Sequence, residues 1–383
     1  MIDVVNRYFG LNRILLLMIG LWPYEKSKCA VIQIICVYSI LISCIIFQLT
    51  TFFTSKCTAE FIIKILSITF AFCSIIVKYN AFYVNSRTIK YLIRQLHHIY
   101  NDLRDKNEIA IIERYGSKAN CYTASLTLLM FVGASFFTGI QFWRNLKNVI
   151  LSSNVSDSHQ LPFDTEYFVD KEKYFYLIFL HVYMGISIGC LAILATGSML
   201  LSFFQHSCGM LKIARKARNE ILAHDDIARA VDMHRKTMTF ATDLISSFEI
   251  SLMFLILFGV LVLSLNIFLI FQILLLEFDF RKILINCLAA GSSFGYMFIS
   301  NFIGQRIIDH NNNIFATAYK VQWYTTSLYI QRLIIILLQR GNKSFGLRLG
   351  GLFVASIESF AMVNRFINYI FFLLFNIFVI HIA

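Results

Sequence analysis

Seven apolar stretches run through the sequence, and each is long enough to cross a lipid bilayer. They lie near residues 30–54, 61–86, 119–143, 174–206, 247–276, 283–307 and 345–378. The hydrocarbon core of a bilayer is about 30 Å thick, which a helix of about 20 residues spans. Because only helices and closed barrels satisfy every backbone polar group in lipid, the sequence predicts an all-α, polytopic membrane protein with seven transmembrane helices.

The composition agrees with this class. Hydrophobic residues make up 58% of the chain and charged residues 15%, whereas a soluble protein of this size carries more charge on its surface. The net charge of +12 does not indicate nucleic-acid binding, because the basic residues lie between the apolar stretches, as they do in membrane proteins. We therefore expect membrane lipid, and no nucleic acid, among the partners.

No pattern in the sequence indicates catalysis or metal binding. The nine cysteines are scattered singly, without a CxxC motif or a Cys/His cluster, and no nucleophile–base motif or phosphate-binding loop occurs. We expect no enzyme activity, no metal and no cofactor. A transporter remains an alternative from another class, although Glu249 and Glu358 are isolated and no paired repeats are visible.

The segments between the apolar stretches are of two kinds. Those after the second, fourth and sixth, at 86–107, 211–236 and 309–332, are long, polar and helix-like. Those after the first and fifth are very short. The stretch 14–24 is too short to span a bilayer and is expected to re-enter it or lie at its interface, where Trp22 and Tyr24 fit.

Charge and glycosylation sequons bear on the orientation. With the N-terminus in the cytoplasm, more Lys and Arg lie inside than outside, but the inside segments are also longer, so this rule gives weak support. The acidic loop after the third stretch carries the sequon Asn154-Val155-Ser156, which would then be extracellular. The two observations agree with an N-terminus inside and a C-terminus outside.

The last apolar stretch carries a polar stripe. Its members are Glu358, Arg365, Asn368, Tyr369, Phe372 and Asn376. An α-helix turns about 100° per residue, so all of them fall within about 60° of Arg365, and the opposite side is apolar. Polar groups inside a membrane usually face a bundle interior or a water-filled cavity, which fits either a pore or hydrogen bonds between helices. If it is a pore, Phe372 is the candidate apolar constriction.

Seven spans also invite comparison with G-protein-coupled receptors. The triplet Glu113-Arg114-Tyr115 resembles theirs, but it precedes the third stretch instead of following it. The loop after the third stretch has no cysteine, and the last stretch has no Asn-Pro-x-x-Tyr motif. This class is therefore the less favoured alternative.

The C-terminal third carries a distinctive set of aromatic, glycine and charged residues: Ala318-Tyr319, Trp323-Tyr324, Arg332, Gln339-Arg340, Gly350, Gly351, Phe353, Ser356, Glu358, Phe360 and Tyr369. With this set, the sequence resembles the insect odorant receptors, most specifically over residues 295–375. Elsewhere Gly20-Leu21-Trp22-Pro23, Pro162-Phe163-Asp164, His234 and Gly304 also fit. Val354 and Gln322 depart from the family pattern. The related gustatory receptors match the last stretch poorly and remain an alternative.

The resemblance implies a subunit of a tetrameric, odorant-gated, non-selective cation channel with the inverted topology. The partner subunit would be the odorant receptor co-receptor, in a heterotetramer at the plasma membrane of sensory neuron dendrites. The loop after the fourth stretch is shorter here than in the co-receptor, which indicates a ligand-tuned subunit. The implied division is an N-terminal segment at 1–29, six helices at 30–307, a cytoplasmic anchor helix at 308–344 and a pore-lining helix at 345–383.

The resemblance also implies where a small volatile hydrophobic odorant binds, namely in the outer halves of the second, third, fourth and sixth helices. The residues there are Phe70, Phe72, Cys73, Phe136, Gly139, Trp143, Tyr183, Met184 and Ile188. On the third helix, Phe136, Gly139 and Trp143 share one face, with the glycine leaving space beside two rings. Aromatic residues at such spacing also serve ordinary packing, so the group carries the hypothesis better than any single member.

The orientation can be tested by glycosylation. We expect Asn154 to accept a glycan and Asn342 to remain unmodified, because seven spans place the two sequons on opposite sides of the membrane. A shift in electrophoretic mobility should disappear in the Asn154→Gln variant and persist in Asn342→Gln. The opposite result would reverse the topology.

Overall fold

The structure is a computed structural model that describes most of the chain. The described residues are 2–55, 58–103, 105–150, 165–170, 172–219, 224–276, 279–320, 327–329, 331–332, 335, 348–349 and 353–382. Asn154 and Asn342 lie outside them, and so do most residues of the predicted anchor helix beyond Lys320.

The described part contains ten helices of defined bounds and one short pair of strands, and residues 328–329, 331–332 and 335 are also helical. The helices are α1 (Ile2–Met18), α2 (Lys28–Leu49), α3 (Thr51–Thr54), α4 (Ala59–Val84), α5 (Ser86–Asp102), α6 (Lys106–Ile150), α7 (Phe175–Asn219), α8 (His224–Leu276), α9 (Phe280–Lys320) and α10 (Ile357–Ile382). Strand β1 (Arg348–Leu349) pairs antiparallel with β2 (Phe353–Val354). Side-chain caps mark two helix starts: Ser27 Oγ accepts from the Ala30 amide at 3.2 Å, and Thr58 Oγ1 accepts from the Phe61 amide at 3.3 Å.

Within the described residues, seven helical segments are long and apolar enough to cross a membrane. They are Lys28–Thr54, Ala59–Val84, Lys106–Phe136, Phe175–Arg215, Arg229–Leu276, Phe280–Ala316 and Ile357–Ile377. This confirms the predicted seven-helix architecture. We call the end of the bundle at which α2 begins the inner end, and the opposite end the outer end, after the predicted orientation.

Several helices are much longer than a bilayer is thick. The 53 residues of α8 correspond to about 80 Å at 1.5 Å per residue. Three helix-like segments were predicted after the second, fourth and sixth stretches. In the structure, the first corresponds to α5, the second to the end of α7 and the beginning of α8, and the third to the end of α9. Helix α5 presents an apolar face of Ile89, Leu92, Ile93, Leu96 and Ile99, all buried. The helices therefore continue past the membrane at the inner end and pack together there.

The N-terminal helix α1 is part of the core and is not among the described helices that are long and apolar enough to cross a membrane. Its residues Phe9, Leu15 and Leu16 are buried, and the helix packs against α6 and α7. It ends in a Schellman motif, in which the Gly20 amide donates to the Leu17 carbonyl at 3.2 Å and the Leu21 amide to the Leu16 carbonyl at 2.9 Å. The stretch expected to re-enter or lie at the interface thus turns back at Gly20.

The loop before α7 is fastened to α2 at the outer end. The Thr50 hydroxyl donates to the Glu166 carbonyl at 2.7 Å, and the Glu166 amide donates to the Phe47 carbonyl at 3.1 Å. Tyr167 stacks on Phe47, with ring centroids 4.1 Å apart, and its hydroxyl lies 2.7 Å from His181 Nδ1. Burial raises the pKa of Tyr167, so the phenol is neutral and available for this hydrogen bond.

The beginning of the last helix differs from the prediction. The helix starts at Ile357 instead of near residue 345, because Arg348–Leu349 and Phe353–Val354 form the strand pair β1–β2. Gly350 and Gly351 follow β1 in the sequence, and glycine disfavours a helix by about 1 kcal/mol relative to alanine. Helix α9 is continuous from Phe280 to Lys320, so the predicted division at 307/308 falls within a helix and remains a prediction.

Gly20 provides a test of the α1 turn. Its φ is +73°, and a Cβ there would lie 2.8 Å from the Ala30 carbonyl oxygen. We therefore expect Gly20→Ala to lower the free energy of unfolding by about 1–2 kcal/mol and to lower the apparent melting temperature in detergent. Gly10→Ala, within α1, is the control, because no atom lies within 4 Å of a Cβ at Gly10. Equal melting temperatures for the two variants would contradict this account.

Candidate functional site

A large cavity runs along the helical bundle. Its volume is about 1720 Å³, which exceeds the roughly 300–1,000 Å³ of most small-molecule sites. Its walls come mainly from α4, α6, α7, α8 and α9, and Val363 of α10 also contributes. It extends from Glu60 and Arg281 at the outer end to Asn301 and Ala355 near the inner end. The wall is mainly apolar, so the cavity suits a hydrophobic ligand.

Only some of the residues predicted to bind ligand line this cavity. Phe72 and Tyr183 do. Phe70 stacks on Phe258, with centroids 5.8 Å apart. Cys73 is half-buried, Ile188 is half-buried against the main core, and Met184 is exposed. None of these four residues is in the cavity wall.

The third transmembrane helix presents a different face from the predicted one. Phe136 is 55% exposed, and no atom lies within 4 Å of a Cβ at Gly139. Trp143 lies in α6, but its side chain is outside the described residues. The wall is formed instead by an earlier part of α6, which includes Met130, Gly133 and Ala134. Their spacing of i, i+3, i+4 defines one helix face.

Helices α8 and α9 supply wall residues that the sequence analysis did not single out. Asn266 of α8 donates to Ser67 Oγ of α4 at 2.8 Å and joins two walls. On α9 the wall includes Gly291, Ser292 and Gly295. A run of small residues within an apolar helix is a signal that could have drawn attention to this face, because small side chains leave space beside a helix.

The inner end of the cavity meets the start of α10. A Cβ at Gly304 of α9 would lie 2.3 Å from the Ala355 carbonyl oxygen, so the two backbones approach closely. Asn301 Oδ1 accepts from the Ser356 amide at 3.3 Å, and Gln305 Oε1 accepts from the Ile357 amide at 3.4 Å. Two α9 side chains therefore bind backbone donors at the N-terminus of α10.

Helix α10 has one face inside the chain and another outside it. Phe360, Val363 and Ile367 are buried against α8 and α9, and Phe371 lies 5.6 Å from Phe271, between ring centroids. Val363 also lines the cavity. The same helix thus touches the cavity with its buried face.

The polar stripe lies on the exposed face of α10. Glu358, Arg365, Asn368, Tyr369, Phe372 and Asn376 are all exposed, with Tyr369 at 73% and Phe372 at 62%. Beside the stripe lies an exposed apolar sector of Met362, Phe366, Leu373 and Ile377. Two of these, Phe366 and Ile377, belong to the apolar side defined from the sequence. The exposed surface of α10 therefore has a polar side and an apolar side.

Comparison with known proteins identifies the class. The model of the family described as 7tm Odorant receptor matches residues 58–368. The chain belongs to this seven-transmembrane odorant receptor family, which is a family of membrane receptors and not of enzymes. No curated protein sequence matches the chain.

Solved structures share the fold. The insect olfactory receptor OR5 from Machilis hrabei in complex with eugenol is similar over 98% of this chain and 98% of that chain, with a TM-score of 0.79 and 14% identity. A second structure of OR5 from Machilis hrabei is similar over 97% of this chain and 98% of that chain, with a TM-score of 0.78 and 15% identity.

Two glycines of α6 can locate the ligand. Both have open space around a Cβ, but Gly133 lines the cavity and Gly139 does not. We expect Gly133→Leu to raise the odorant concentration for half-maximal response about tenfold, equivalent to about 1.4 kcal/mol, because the leucine enters the cavity. Gly139→Leu should leave it unchanged at equal surface expression. The reverse result would place the ligand against the face of Phe136, Gly139 and Trp143 that was predicted from the sequence.

Proposed function

We propose that this chain is the ligand-tuned subunit of a heterotetrameric, odorant-gated, non-selective cation channel in the plasma membrane. The other subunit is the odorant receptor co-receptor, and the N-terminus of each chain lies in the cytoplasm. The observation that carries the proposal is the position of Val363, which lines the cavity while the opposite side of its helix bears the polar stripe.

The ligand in this proposal is a small, volatile, mainly hydrophobic molecule. The apolar wall of the cavity supports this, as does the likeness to an olfactory receptor solved with eugenol. The cavity is larger than one such molecule needs. A ligand can therefore occupy part of it, with the remainder filled by a second molecule or by water.

The exposed face of α10 supports a pore on the symmetry axis. Arg365 and Asn368 would be costly in lipid, and a water-filled pore removes that cost. The neighbouring apolar sector, which includes Phe366 and Leu373, then packs against the adjacent subunit. Four copies of Arg365 around one axis would repel cations, whereas a mixed tetramer holds fewer, which favours assembly with a different subunit.

Gating in this proposal follows from the contacts at the inner end. A ligand that displaces α9 also displaces the start of α10, because Asn301 and Gln305 are bonded to backbone amides there. The ring of Phe372 is the constriction that excludes water when the pore is closed. Movement of α10 would separate these rings and admit ions.

The proposal is tested by recording from cells that express this chain with the co-receptor. Odorants should evoke a cation current within milliseconds that persists when G-protein signalling is blocked. Cells that express the co-receptor alone should not respond to the same odorants. A response that requires a G protein would contradict the channel assignment.

Cysteine substitution in the same cells tests the pore face. Tyr369→Cys and Asn376→Cys should become sensitive to block by a thiol-reactive cation applied from outside. Ile367→Cys should remain insensitive, because Ile367 is buried within the chain. Sensitivity at Ile367 alone would show that the pore lies on the other face of α10.

A further inference from the structure

A buried lysine adjoins the inner half of the cavity. Lys78 of α4 is 3% exposed. Its Nζ donates to the Tyr296 hydroxyl oxygen at 2.6 Å and lies 4.1 Å from the centroid of that ring. Among the described residues no carboxylate forms an ion pair with Lys78. An ammonium group in an apolar bundle is costly unless it is paired, so this charge calls for a further acceptor.

The Tyr296 hydroxyl can still donate one hydrogen bond. Its oxygen accepts from Lys78, so its hydrogen is available, and no acceptor for it lies among the described residues. Tyr296 is part of the cavity wall, and so is Gly197. A Cβ at Gly197 would lie 3.1 Å from Lys78 Nζ, so the ammonium lies directly beside this glycine of the cavity wall.

This arrangement favours a ligand oxygen. A hydrogen bond from an ionised donor polarises the hydroxyl that accepts it and strengthens the bond that the hydroxyl then donates. The positive charge also attracts a partially negative atom. A hydrocarbon offers neither an acceptor nor a negative atom, and a site with an unpaired polar group discriminates strongly against it.

We infer that Lys78 and Tyr296 form a deep polar subsite that binds the carbonyl oxygen of an oxygenated ligand, such as an ester, a ketone or a carboxylate. The inference rests on the proposed function, because it assumes that a ligand in the cavity opens the channel. The ligand oxygen accepts from the Tyr296 hydroxyl, and the apolar part of the ligand lies along the wall of the cavity.

The test uses ligands of equal chain length: an alkane, a methyl ketone, a methyl ester and a carboxylate. Aldehydes are left out because they condense with amines. The wild-type channel should respond to the ketone and ester at concentrations at least tenfold lower than to the alkane. Tyr296→Phe should remove that advantage, while the alkane response stays within twofold. Lys78→Met should act in the same direction and most strongly on the carboxylate.

Tyr183→Phe is the matched control, because Tyr183 also lines the cavity but lies 14 residues before Gly197 on α7, about 21 Å nearer the outer end. It should preserve the advantage of the ketone and ester. A wild-type channel that responds equally to alkane and ester overturns the inference without any variant. The inference is also overturned if Tyr296→Phe changes the effective concentrations of all four ligands equally, or changes none of them. Failure of every odorant to evoke current would instead overturn the proposed channel function.

Discussion

Hydrocarbon offers no hydrogen bonds, and the rest of the structure depends on this constraint. Backbone groups in the bilayer must be paired within the chain, which leaves helices as the spanning elements here. Side-chain hydroxyls obey the same rule by bonding to their own helix. Thr196 donates to the Ala192 carbonyl at 2.6 Å, and Ser264 donates to the Val260 carbonyl at 2.8 Å. Asn266 Nδ2 donates to the Val262 carbonyl of its own helix at 2.7 Å and also to Ser67 Oγ of α4, which joins two helices.

Some polar side chains do not have all their hydrogen-bond partners within the described chain, and these indicate where water, a ligand or another subunit is needed. Arg365 and Asn368 lie on the exposed side of α10, where one chain alone would present them to lipid. Lys78 lies inside, and among the described residues its ammonium has a hydrogen bond to the Tyr296 hydroxyl and no carboxylate partner. Arg365 and Asn368 require water or another subunit, and Lys78 with its phenol requires a ligand or a comparable acceptor. The same cost of polarity in hydrocarbon therefore underlies both the proposed pore and the proposed polar subsite.

Much of the fold could be predicted from the sequence, because the period and length of apolar stretches determine spanning helices. The exposed stripe on α10 also followed from helical periodicity alone. The ligand-facing side of α6 did not, because Phe136 and Met130 are equally apolar and only the rotation of the packed helix decides which faces inward. The strand pair before α10 was missed since two residues per strand carry no periodic signal. Tyr296 was missed because nothing in its local sequence shows that Lys78 reaches it.

The connection between cavity and α10 depends on how closely α9 and the start of α10 approach each other. Gly304 permits the Ala355 carbonyl to lie against the helix backbone, since any side chain there would occupy the same space. The Asn301 and Gln305 side chains then reach the first amides of α10, which have no partner within their own helix. Further along, Val363 and Ile367 pack on the neighbouring helices. Helix α10 is thus held at its start by polar contacts and in its middle by apolar ones. In the proposed gating, a displacement of α9 would change both sets together, so a ligand would need no contact with the polar stripe to move α10.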